Sequence, residues 1–366
     1  MKQVITTFLI WILIVNIFAI FALNRFNLES DTAYTWINSE EFSQNQSWNV
    51  VDIHARWDSF WYIDIAQNGY SYKGVEQLSN IAFFPIYPVL IKGASLVVLG
   101  NFILSGWLLS VLFLLLALMY LFKLVKEFHS KLNPQLPIIF LLTFPTSFFL
   151  NAVYTESLFL FLSLAAFYYA LKKNFILASI FGFFASLTRI TGILLFIPLA
   201  WEYIHTYGLR RVFSIKFLSL LLIPLGTLSF FLYHYLKFGD LFLWLKVQAW
   251  WGRAFKVNQG HFDLFSNPAI VNLLIDVLFI IVALVVVFFV FKKLRTSYGL
   301  YMLATLLVAL GTGTTMSIGR YILVLFPIYI LMSQINNKYI QQSWVLFSVL
   351  LLAMNIILFV NNYWAG

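Results

Sequence analysis

The stretch FILSGWLLSVLFLLLALMYLF, residues 102–122, decides the fold class of this chain. It contains no charged side chain, and at about 1.5 Å per residue a helix of this length crosses the roughly 30 Å hydrocarbon core of a bilayer. Backbone polar groups in lipid must find partners within the protein, so only helices and closed barrels cross membranes. The alternation of a barrel strand is absent from this stretch, which therefore predicts a transmembrane helix.

The composition extends this prediction to the rest of the chain. Hydrophobic residues make up 62% of the 366 residues and charged residues only 10%, and the mean hydropathy is +0.88. Soluble domains carry about 25% charged residues, so we expect an all-α polytopic membrane bundle, formed by one domain over residues 1–366. The net charge of +9 does not indicate a nucleic-acid partner, because the basic residues lie in short clusters between apolar segments and suit membrane lipids. The absence of cysteine excludes disulfides and thiol catalysis.

The apolar runs predict about eleven transmembrane helices. Besides residues 102–122, the predicted spans are 4–23, 135–151, 155–171, 175–188, 190–205, 215–236, 269–291, 298–317, 321–334 and 343–361. Residues 82–100 are also apolar, but they contain Pro85, Pro88 and Lys92. Proline removes a helix hydrogen bond and disfavours helix in the residue before it, so we expect the first turns of this segment to be broken or extended. The orientation given by the basic clusters requires an odd number of crossings between residues 80 and 123, so we expect the segment to enter the outer leaflet or to lie along it, without crossing.

Four basic clusters predict the orientation, because cytoplasmic loops are enriched in Lys and Arg. The clusters are Lys123, Lys126 and Lys131; Lys172 and Lys173; Arg210, Arg211 and Lys216; and Lys292, Lys293 and Arg295. With all four in the cytoplasm, successive spans alternate without contradiction. The outer side then receives the loops 24–80 and 237–268 and the turns at 154–157, 188–191 and 318–320. We expect a multi-pass protein of the plasma membrane with its functional face outside the cell.

The outer loop 24–80 contains eight of the fourteen acidic residues and includes HARWDSFWYIDIAQNGY, residues 54–70. Apolar side chains recur there at helical spacing, so residues 58–67 predict a short amphipathic helix on the membrane interface, ended by Asn68-Gly69. Asp58 lies in its first turn. A carboxylate beside the bilayer suits a base that takes the proton of an acceptor hydroxyl. The structural alternative is a helix N-cap.

Among three further acids, Asp64 and Asp52 are less specific candidates and Glu156 is a stronger one. Asp64 lies six residues after Asp58, and a solvated position fits it as well as a functional one. Asp52 with Asp58 and His54 is a weak metal signal, so we predict no cofactor, with a divalent cation as the less favoured alternative. Glu156 stands between two apolar spans, where a charge needs a partner. It either belongs to a site or caps the next helix.

Arg189 and Arg320 occupy apolar turns on the predicted outer side. The planar guanidinium suits bidentate contact with phosphate, and an outer cation opposes the positive-inside bias unless an anion lies beside it. The alternatives are a pair with Glu156 or a side chain that reaches the lipid head groups. The loop 237–268, which includes His261, combines aromatic and cationic residues and fits either a polyprenyl phosphate or sugar, or an interfacial helix.

Five blocks of the sequence resemble the PIG-V family, whose eukaryotic member is the second mannosyltransferase of glycosylphosphatidylinositol anchor assembly. The blocks are RWDSFWYIDIAQNGY, AFFPIYP, PTSFFLNAVYTESLFLFLS, SLTRITGILL and GRYILVLFP, and they cover most of residues 54–328. This family belongs to the GT-C glycosyltransferases. The resemblance implies a membrane helical bundle with interfacial helices in the first outer loop. It also implies a polyprenyl-phosphate sugar donor, a lipid, glycan or protein acceptor, and inversion of the sugar's anomeric centre.

The resemblance also implies roles for individual residues. Asp58 falls at the position of the family's catalytic acid, and Glu156 falls on the glutamate of the YTES block. Arg189 and Arg320 match basic positions that neutralise the donor phosphate. Further candidates for substrate binding are Arg56, Asp64, Tyr321 and His261. The chain is shorter than the eukaryotic member, and its brief loops leave the acceptor open and indicate a bacterial or archaeal enzyme.

A transporter or flippase of lipid-linked sugars is the alternative function. Transporters place ionisable groups and broken helices near the bilayer midplane, often in two repeated halves. The candidate groups here gather on one predicted face, and no internal repeat is visible in the sequence. The sequence therefore favours a glycosyltransferase, with a structural or assembly subunit as a third reading.

Overall fold

The computed structural model of this protein describes residues 1–26, 50–74, 77–248, 251, 270–312 and 314–365. All regular secondary structure in these residues is helical, in agreement with the predicted all-α class. The α-helices are α1 (Lys2–Arg25), α2 (Asp58–Asn68), α3 (Ile86–Ser95), α4 (Phe102–Phe128), α5 (Leu136–Leu142), α6 (Glu156–Leu171), α7 (Phe175–Ser186), α8 (Phe196–Tyr207), α9 (Ile215–Leu218), α10 (Leu222–Phe238), α11 (Leu243–Gln248), α12 (Ile270–Lys293), α13 (Thr296–Gly311), α14 (Ile318–Leu323), α15 (Pro327–Met332) and α16 (Lys338–Val360). Short 3-10 segments lie at Asp52–His54, Asn80–Ala82, Ser147–Asn151, Ile190–Leu195, Leu209–Arg211 and Ser219–Leu221.

Several of these helices have the length and composition of membrane spans. In the described residues, five segments are long and apolar enough to cross a bilayer: Lys2–Arg25, Phe102–Phe128, Ile215–Phe238, Leu273–Lys293 and Lys338–Val360. The shorter apolar helices α6, α7 and α13 lie among them. The protein is therefore a polytopic helical membrane protein, but some of the eleven predicted spans are not continuous helices.

Proline residues divide two of the predicted spans. Residues 135–151 form α5 and then the 3-10 segment Ser147–Asn151, with Pro145 in the turn between them. Residues 321–334 contribute to both α14 and α15, and Pro327 is the first residue of α15. Proline has no N–H to donate and is tolerated in the first turn of a helix. The prediction of one continuous helix in each segment is therefore wrong, because apolar length alone does not locate such breaks.

The basic clusters lie together at one end of the bundle. The Lys172 ammonium, just after α6, pairs with Glu127 at the end of α4. Arg295, just before α13, lies 3.7 Å from Glu202 on α8. Helix α6 begins at Glu156, so Glu156 lies at the opposite end of the bundle from Lys172. The paired basic clusters and Glu156 therefore lie at opposite ends of the bundle, as the alternating topology requires.

The segment that follows the first loop is too short to cross the membrane. Helix α3 has 10 residues, which corresponds to about 15 Å at 1.5 Å per residue. That length is about half the hydrocarbon thickness of a bilayer. The prediction that residues 82–100 do not cross agrees with this length.

Helix α2 is the amphipathic helix predicted over residues 58–67. It ends at Gly69, whose positive φ of 80° favours glycine. Its side chains Trp61, Tyr62 and Ile65 are buried, and the helix packs against α3 and α4. The aromatic side chains of α2 therefore meet other parts of the protein.

Candidate active site

Asp58 is the first residue of α2, and its side chain is 17% exposed. The N-cap position belongs to Trp57, and no side chain caps this helix, so the alternative role of Asp58 as a cap is not what the structure shows. One carboxylate oxygen instead accepts a hydrogen bond of 2.6 Å from Arg320 Nη1. An acidic side chain is also favourable in the first turn of α2, because the helix dipole is positive at that end.

Trp57, directly before Asp58, has a backbone conformation that large side chains rarely adopt, with φ 53° and ψ −116°. Such a conformation costs of order 1–3 kcal/mol and persists only where the surrounding structure holds it. The Trp57 indole N–H donates to the Tyr363 carbonyl at 3.3 Å, and its ring packs edge-on against Trp364, with 5.4 Å between the ring centroids. Residues after α16 therefore hold the turn that positions Asp58.

Arg56 supports the same turn and does not line the cleft described below. Its guanidinium donates to the Val360 carbonyl at the end of α16, with distances of 3.3 and 3.2 Å from Nε and Nη2. It also donates to the carbonyls of Asp52 and Ala55. These bonds satisfy backbone oxygens that a helix end leaves without partners, and they join the first loop to the last helix.

His54 lies on the other side of this turn as a neutral group. Its ring stacks on Trp107 with 4.4 Å between centroids, and its Nδ1 lies 3.0 Å from the Asn151 carbonyl oxygen. Because a carbonyl oxygen only accepts, Nδ1 carries the proton. Burial lowers the pKa of the imidazole to about 3. His54 is therefore uncharged at physiological pH and serves as a packing group in this turn.

Glu156 is the first residue of α6, and its side chain is fully buried. Its Oε1 accepts a hydrogen bond of 2.7 Å from Arg320 Nε and one of 3.1 Å from Arg189 Nη1. A buried carboxylate is tolerated where it is paired and hydrogen-bonded. The structure thus provides the partners that this charge was expected to need, and the predicted alternative of an Arg–Glu156 pair is present for both arginines.

Arg320 connects the two acids. Its side chain is 4% exposed, and its guanidinium donates to Glu156 through Nε and to Asp58 through Nη1. The guanidinium carbon also lies 4.6 Å from the ring centroid of Tyr154 and 5.0 Å from that of Phe149, within the range of cation–π contacts. Helices α2, α6 and α14 therefore meet at one guanidinium group.

Arg189 lies in the turn between α7 and the 3-10 segment Ile190–Leu195. Gly192 allows this turn, because a Cβ at this position would lie 2.2 Å from the Ala185 carbonyl oxygen in α7. The Arg189 guanidinium carbon lies 5.3 Å from the ring centroid of Tyr321. This side chain is 12% exposed, so it is more accessible than Arg320.

A cleft with about 630 Å³ of empty space, partly open to solvent, lies beside these residues. Without the open solvent space, its cavity volume is about 80 Å³. Asp58, Arg189 and Arg320 form its charged wall. The remaining lining residues are Tyr62, Ala82, Phe83, Phe84, Thr188, Ile190, Thr191, Trp244, Gln248, Trp251 and Tyr321.

The structure brings together five of the eight predicted site residues. Asp58, Arg189, Arg320 and Tyr321 line the cleft, and Glu156 contacts both arginines from behind the wall. The other three predicted residues are Arg56, Asp64 and His261.

Arg56 and Asp64 do not line the cleft. Arg56 binds the end of α16, as described above. Asp64 accepts hydrogen bonds from the side-chain amides of Asn68 and Asn80, at 2.8 and 2.7 Å, and so joins α2 to the segment that follows it. His261 lies outside the described residues.

Sequence analysis missed the aromatic wall of the cleft. Phe83 and Phe84 belong to the AFFPIYP block. In that block, sequence analysis considered only the effect of the prolines on the helix. Trp244 lies in α11, in the second outer loop, and its indole N–H donates to the Ala82 carbonyl at 2.9 Å. The aromatic content of both segments was a signal, but only their packing shows that they form one wall.

The cleft combines a carboxylate with two cations. In the part of the chain that the structure describes, no three His, Asp or Glu side chains gather closely enough to hold a metal ion. The two carboxylates and two guanidiniums balance in charge. Asp58 is placed to take a proton, and the guanidiniums are placed to stabilise an anion.

A family model described as Mannosyltransferase (PIG-V) matches residues 1–242 of the chain, about two thirds of its length. The matched region contains Asp58, Glu156 and Arg189, whereas Arg320 and Tyr321 lie beyond it. No curated protein matches the chain.

Proposed function

Because the chain belongs to the mannosyltransferase (PIG-V) family, we propose that it is a GT-C type glycosyltransferase with a polyprenyl-phosphate sugar donor. The sugar is a hexose of the mannose class, and the acceptor is a hydroxyl group of a lipid, glycan or protein. The observation that carries this proposal is the meeting of Asp58 with two arginines at one cleft. Such a transfer needs a base for the acceptor and cations for a phosphate leaving group.

The proposed step is a single in-line displacement. Asp58 takes the proton of the acceptor hydroxyl while that oxygen forms a bond to the anomeric carbon. The bond between this carbon and the phosphate oxygen breaks, and its electron pair leaves with the polyprenyl phosphate. Because the acceptor attacks from the face opposite the leaving group, the anomeric centre inverts. The proton then passes from Asp58 to solvent.

Arg320 and Arg189 are the groups proposed to stabilise the departing phosphate. Guanidiniums bind phosphate oxygens through paired N–H groups, and stabilisation of developing charge is usually a large part of catalysis. In the structure, Arg320 Nη1 donates a hydrogen bond to Asp58. A donor phosphate that competes for this N–H would free the Asp58 carboxylate, while Glu156 still holds the guanidinium through Nε.

The membrane arrangement supports an extracytoplasmic site in the plasma membrane. The cleft lies at the end of the bundle opposite the paired basic clusters, which are expected in the cytoplasm. A polyprenyl chain would remain among membrane lipids while its phosphate reaches the cleft. The proposal involves no cofactor.

The first prediction is that Asp58→Asn lowers sugar transfer by roughly 10²–10⁴-fold, the usual contribution of a general base. Membranes containing the full chain are incubated with labelled polyprenyl-phosphate mannose, and transfer of the label to acceptor is counted. Donor binding to the purified variant should persist, because both arginines remain. Asp240→Asn is the control, since Asp240 lies outside the cleft and pairs with Lys246. Near-wild-type transfer by Asp58→Asn would contradict the assignment of the base.

The same assay separates the proposal from the alternative of a transporter or flippase. A transporter moves the donor across the bilayer with its glycosidic bond intact, so no free polyprenyl phosphate forms. A glycosyltransferase releases polyprenyl phosphate in equal amount to the glycosylated acceptor. Movement of intact donor without release of polyprenyl phosphate would support the transporter instead.

A further inference from the structure

A second cavity, which we call the lateral crevice, shares no lining residue with the cleft. It is partly open, has a volume of about 160 Å³, and is formed by residues of α5, α12, α14, α15 and α16 and their connections. Apart from Gln341, its lining residues are apolar or aromatic. Val282, within the membrane span of α12, is one of them and is 38% exposed. The crevice therefore opens toward lipid.

One face of α12 forms a wall of the lateral crevice and continues to a lysine. The lining residues on α12 are Phe279, Val282, Ala283 and Val286. Their spacing of three and four residues places them on one side of the helix. Lys293 follows Val286 by seven residues, about two turns, so it lies on the same side. Lys293 is exposed, and the apolar wall thus ends at a cation.

Lys338, the first residue of α16, lies at the same end of the lateral crevice. Helix α16 finishes at Val360 beside Arg56, so it starts at the end of the bundle that holds the basic clusters, where α12 finishes. Ile340, in its first turn, lines the crevice and is 53% exposed.

The two lysines remain available to an anion from outside the chain. In the part of the chain that the structure describes, ion pairs at the basic end join Lys172 to Glu127 and Arg295 to Glu202. Lys293 and Lys338 belong to neither pair, and both are exposed. Basic pockets between helices on the cytoplasmic side of a membrane bind anionic lipid head groups.

The length of the α12 wall suits one acyl chain. The hydrocarbon of one leaflet is about 15 Å thick, half of a bilayer core. Ten residues of α12, from Lys293 back to Ala283, also extend about 15 Å. A lipid whose phosphate lies beside Lys293 can therefore place its chain along the lateral crevice up to Ala283.

Helix α14 separates the lateral crevice from the cleft. Ile322 lines the crevice and Arg320 lines the cleft. Residues two positions apart are about 200° apart around a helix, so these side chains lie on nearly opposite sides of α14. Phe279 also packs against this helix, with its ring 3.5 Å from where a Cβ of Gly319 would lie. A chain in the crevice therefore contacts the helix that carries Arg320.

We propose that the lateral crevice binds one anionic phospholipid from the leaflet at the basic end, and that this lipid supports α14. The acyl chain lies in the crevice, and the phosphate lies beside Lys293 and Lys338. This lipid is a ligand in addition to the substrates of the proposed function.

The first test measures binding of fluorescent phosphatidylglycerol to the full chain in detergent, with phosphatidylcholine as the neutral comparison. The wild type should bind phosphatidylglycerol more tightly. The double variant Lys293→Gln, Lys338→Gln should raise its Kd by about tenfold or more, because each lysine near a membrane surface attracts anionic lipid. The control Arg210→Gln, Arg211→Gln removes the same charge at the same end and should bind as the wild type does. Equal affinity of the wild type for both lipids would overturn the proposal.

A second pair of variants tests the apolar part of the site. Val282→Trp fills the lateral crevice and should weaken binding of phosphatidylglycerol severalfold. Val285→Trp is the control, because Val285 is exposed on the same helix and does not line the crevice. Thermal unfolding without lipid checks the fold of every variant. Equal affinity in the two tryptophan variants would overturn the proposal. Displacement of phosphatidylglycerol by an equal concentration of polyprenyl phosphate would also overturn it, because the crevice would then hold the donor chain.

Sugar transfer in vesicles tests the support of α14. Adding phosphatidylglycerol to phosphatidylcholine vesicles should raise transfer severalfold in the wild type and in the Arg210→Gln, Arg211→Gln control, but not in the double lysine variant. No increase in the wild type would contradict the support of α14. Absence of transfer by the wild type in all vesicles would contradict the proposed function, whereas the binding measurements would still decide the lipid site.

Discussion

At the scale of single residues, the site depends on one shared carboxylate oxygen. Glu156 Oε1 accepts hydrogen bonds from both Arg189 and Arg320, so a single negative charge orients two cations. Removing one partner of a buried ion pair costs about 3–5 kcal/mol, because the remaining charge is left buried without compensation. Glu156 therefore stabilises the fold and positions the groups proposed to meet the donor phosphate.

Glu156→Gln is expected to lower both thermal stability and sugar transfer. The amide keeps the shape of the side chain but removes the charge, which leaves Arg189 and Arg320 with Asp58 as their remaining counter-charge in the cleft. We expect a loss of about 3–5 kcal/mol in unfolding free energy and at least tenfold slower transfer. Thermal unfolding in detergent and the labelled-donor assay measure the two effects.

Glu202→Gln is the matched control for this variant. Glu202 is also a buried acid, and it accepts a hydrogen bond of 2.5 Å from Ser297 and pairs with Arg295. It lies at the opposite end of the bundle from the cleft. Its loss should reduce stability while donor binding persists. Wild-type transfer by Glu156→Gln at a temperature where it is folded would contradict the positioning role.

At the scale of elements, two of the helices that carry the site begin after a strained residue. Trp57 precedes α2 with φ 53°, and Ser317 precedes α14 with φ 67°. Non-glycine residues reach this region at a cost of order 1–3 kcal/mol, and it persists where packing holds it. Around α14, the Thr146 hydroxyl donates to the Gly319 carbonyl at 3.0 Å. The strained residues Trp57 and Ser317 therefore directly precede the two helices that bring Asp58 and Arg320 into contact.

Trp364→Ala is expected to reduce transfer severalfold by loosening the Trp57 turn. The edge-on contact of the two indoles is one of the contacts that hold the positive φ, so its loss should let Asp58 move relative to Arg320. The effect should fall on kcat more than on the KM of the donor, because the arginines stay in place. Steady-state kinetics with the labelled donor would measure this difference.

Two further variants serve as controls for the Trp364→Ala prediction. Trp364→Phe keeps an aromatic ring beside Trp57 and should retain most activity. Trp201→Ala removes a tryptophan that is 44% exposed and lies near the basic end of the bundle, so it should leave transfer unchanged. An unchanged kcat in Trp364→Ala would show that the turn is held without this contact.

At the scale of the whole molecule, the bundle places its paired basic clusters and its cleft at opposite ends. Helix α6 begins with Glu156 in the site and ends beside Lys172, which pairs with Glu127. Helix α7 returns to the Arg189 turn. Because cytoplasmic loops favour basic residues, this polarity predicts that the cleft faces away from the cytoplasm.

Single introduced cysteines test this orientation, since the chain has no cysteine of its own. Ser71 and Arg210 are exposed and lie on the predicted outer and cytoplasmic sides. In intact cells, a membrane-impermeant maleimide should label Ser71→Cys, and it should label Arg210→Cys only after permeabilisation. The opposite pattern would place the cleft in the cytoplasm and contradict the extracytoplasmic site.

The sequence identified several residues of the site, but it did not predict how they are arranged in space. The helical class and the short helix from Asp58 follow from apolar length and helical spacing, which are local properties, and the non-crossing of residues 82–100 follows from the distribution of the basic clusters. The burial of α2 and the breaks near Pro145 and Pro327 did not follow, because they depend on which neighbours cover each face. The aromatic wall was missed for the same reason, since Phe83 and Trp244 belong to distant segments.

By itself, the sequence determined that this protein is a membrane helical bundle of the PIG-V type with an acidic first loop, and it singled out Asp58. It left open whether the arginines pair with Glu156 or remain free for phosphate. The tertiary structure decided that Arg320, 262 positions from Asp58, bridges both acids, and that Arg56 instead supports the end of α16. The physical reason is that spacing along a chain specifies which face of a helix a residue occupies, whereas ion pairs between helices depend on how those helices pack.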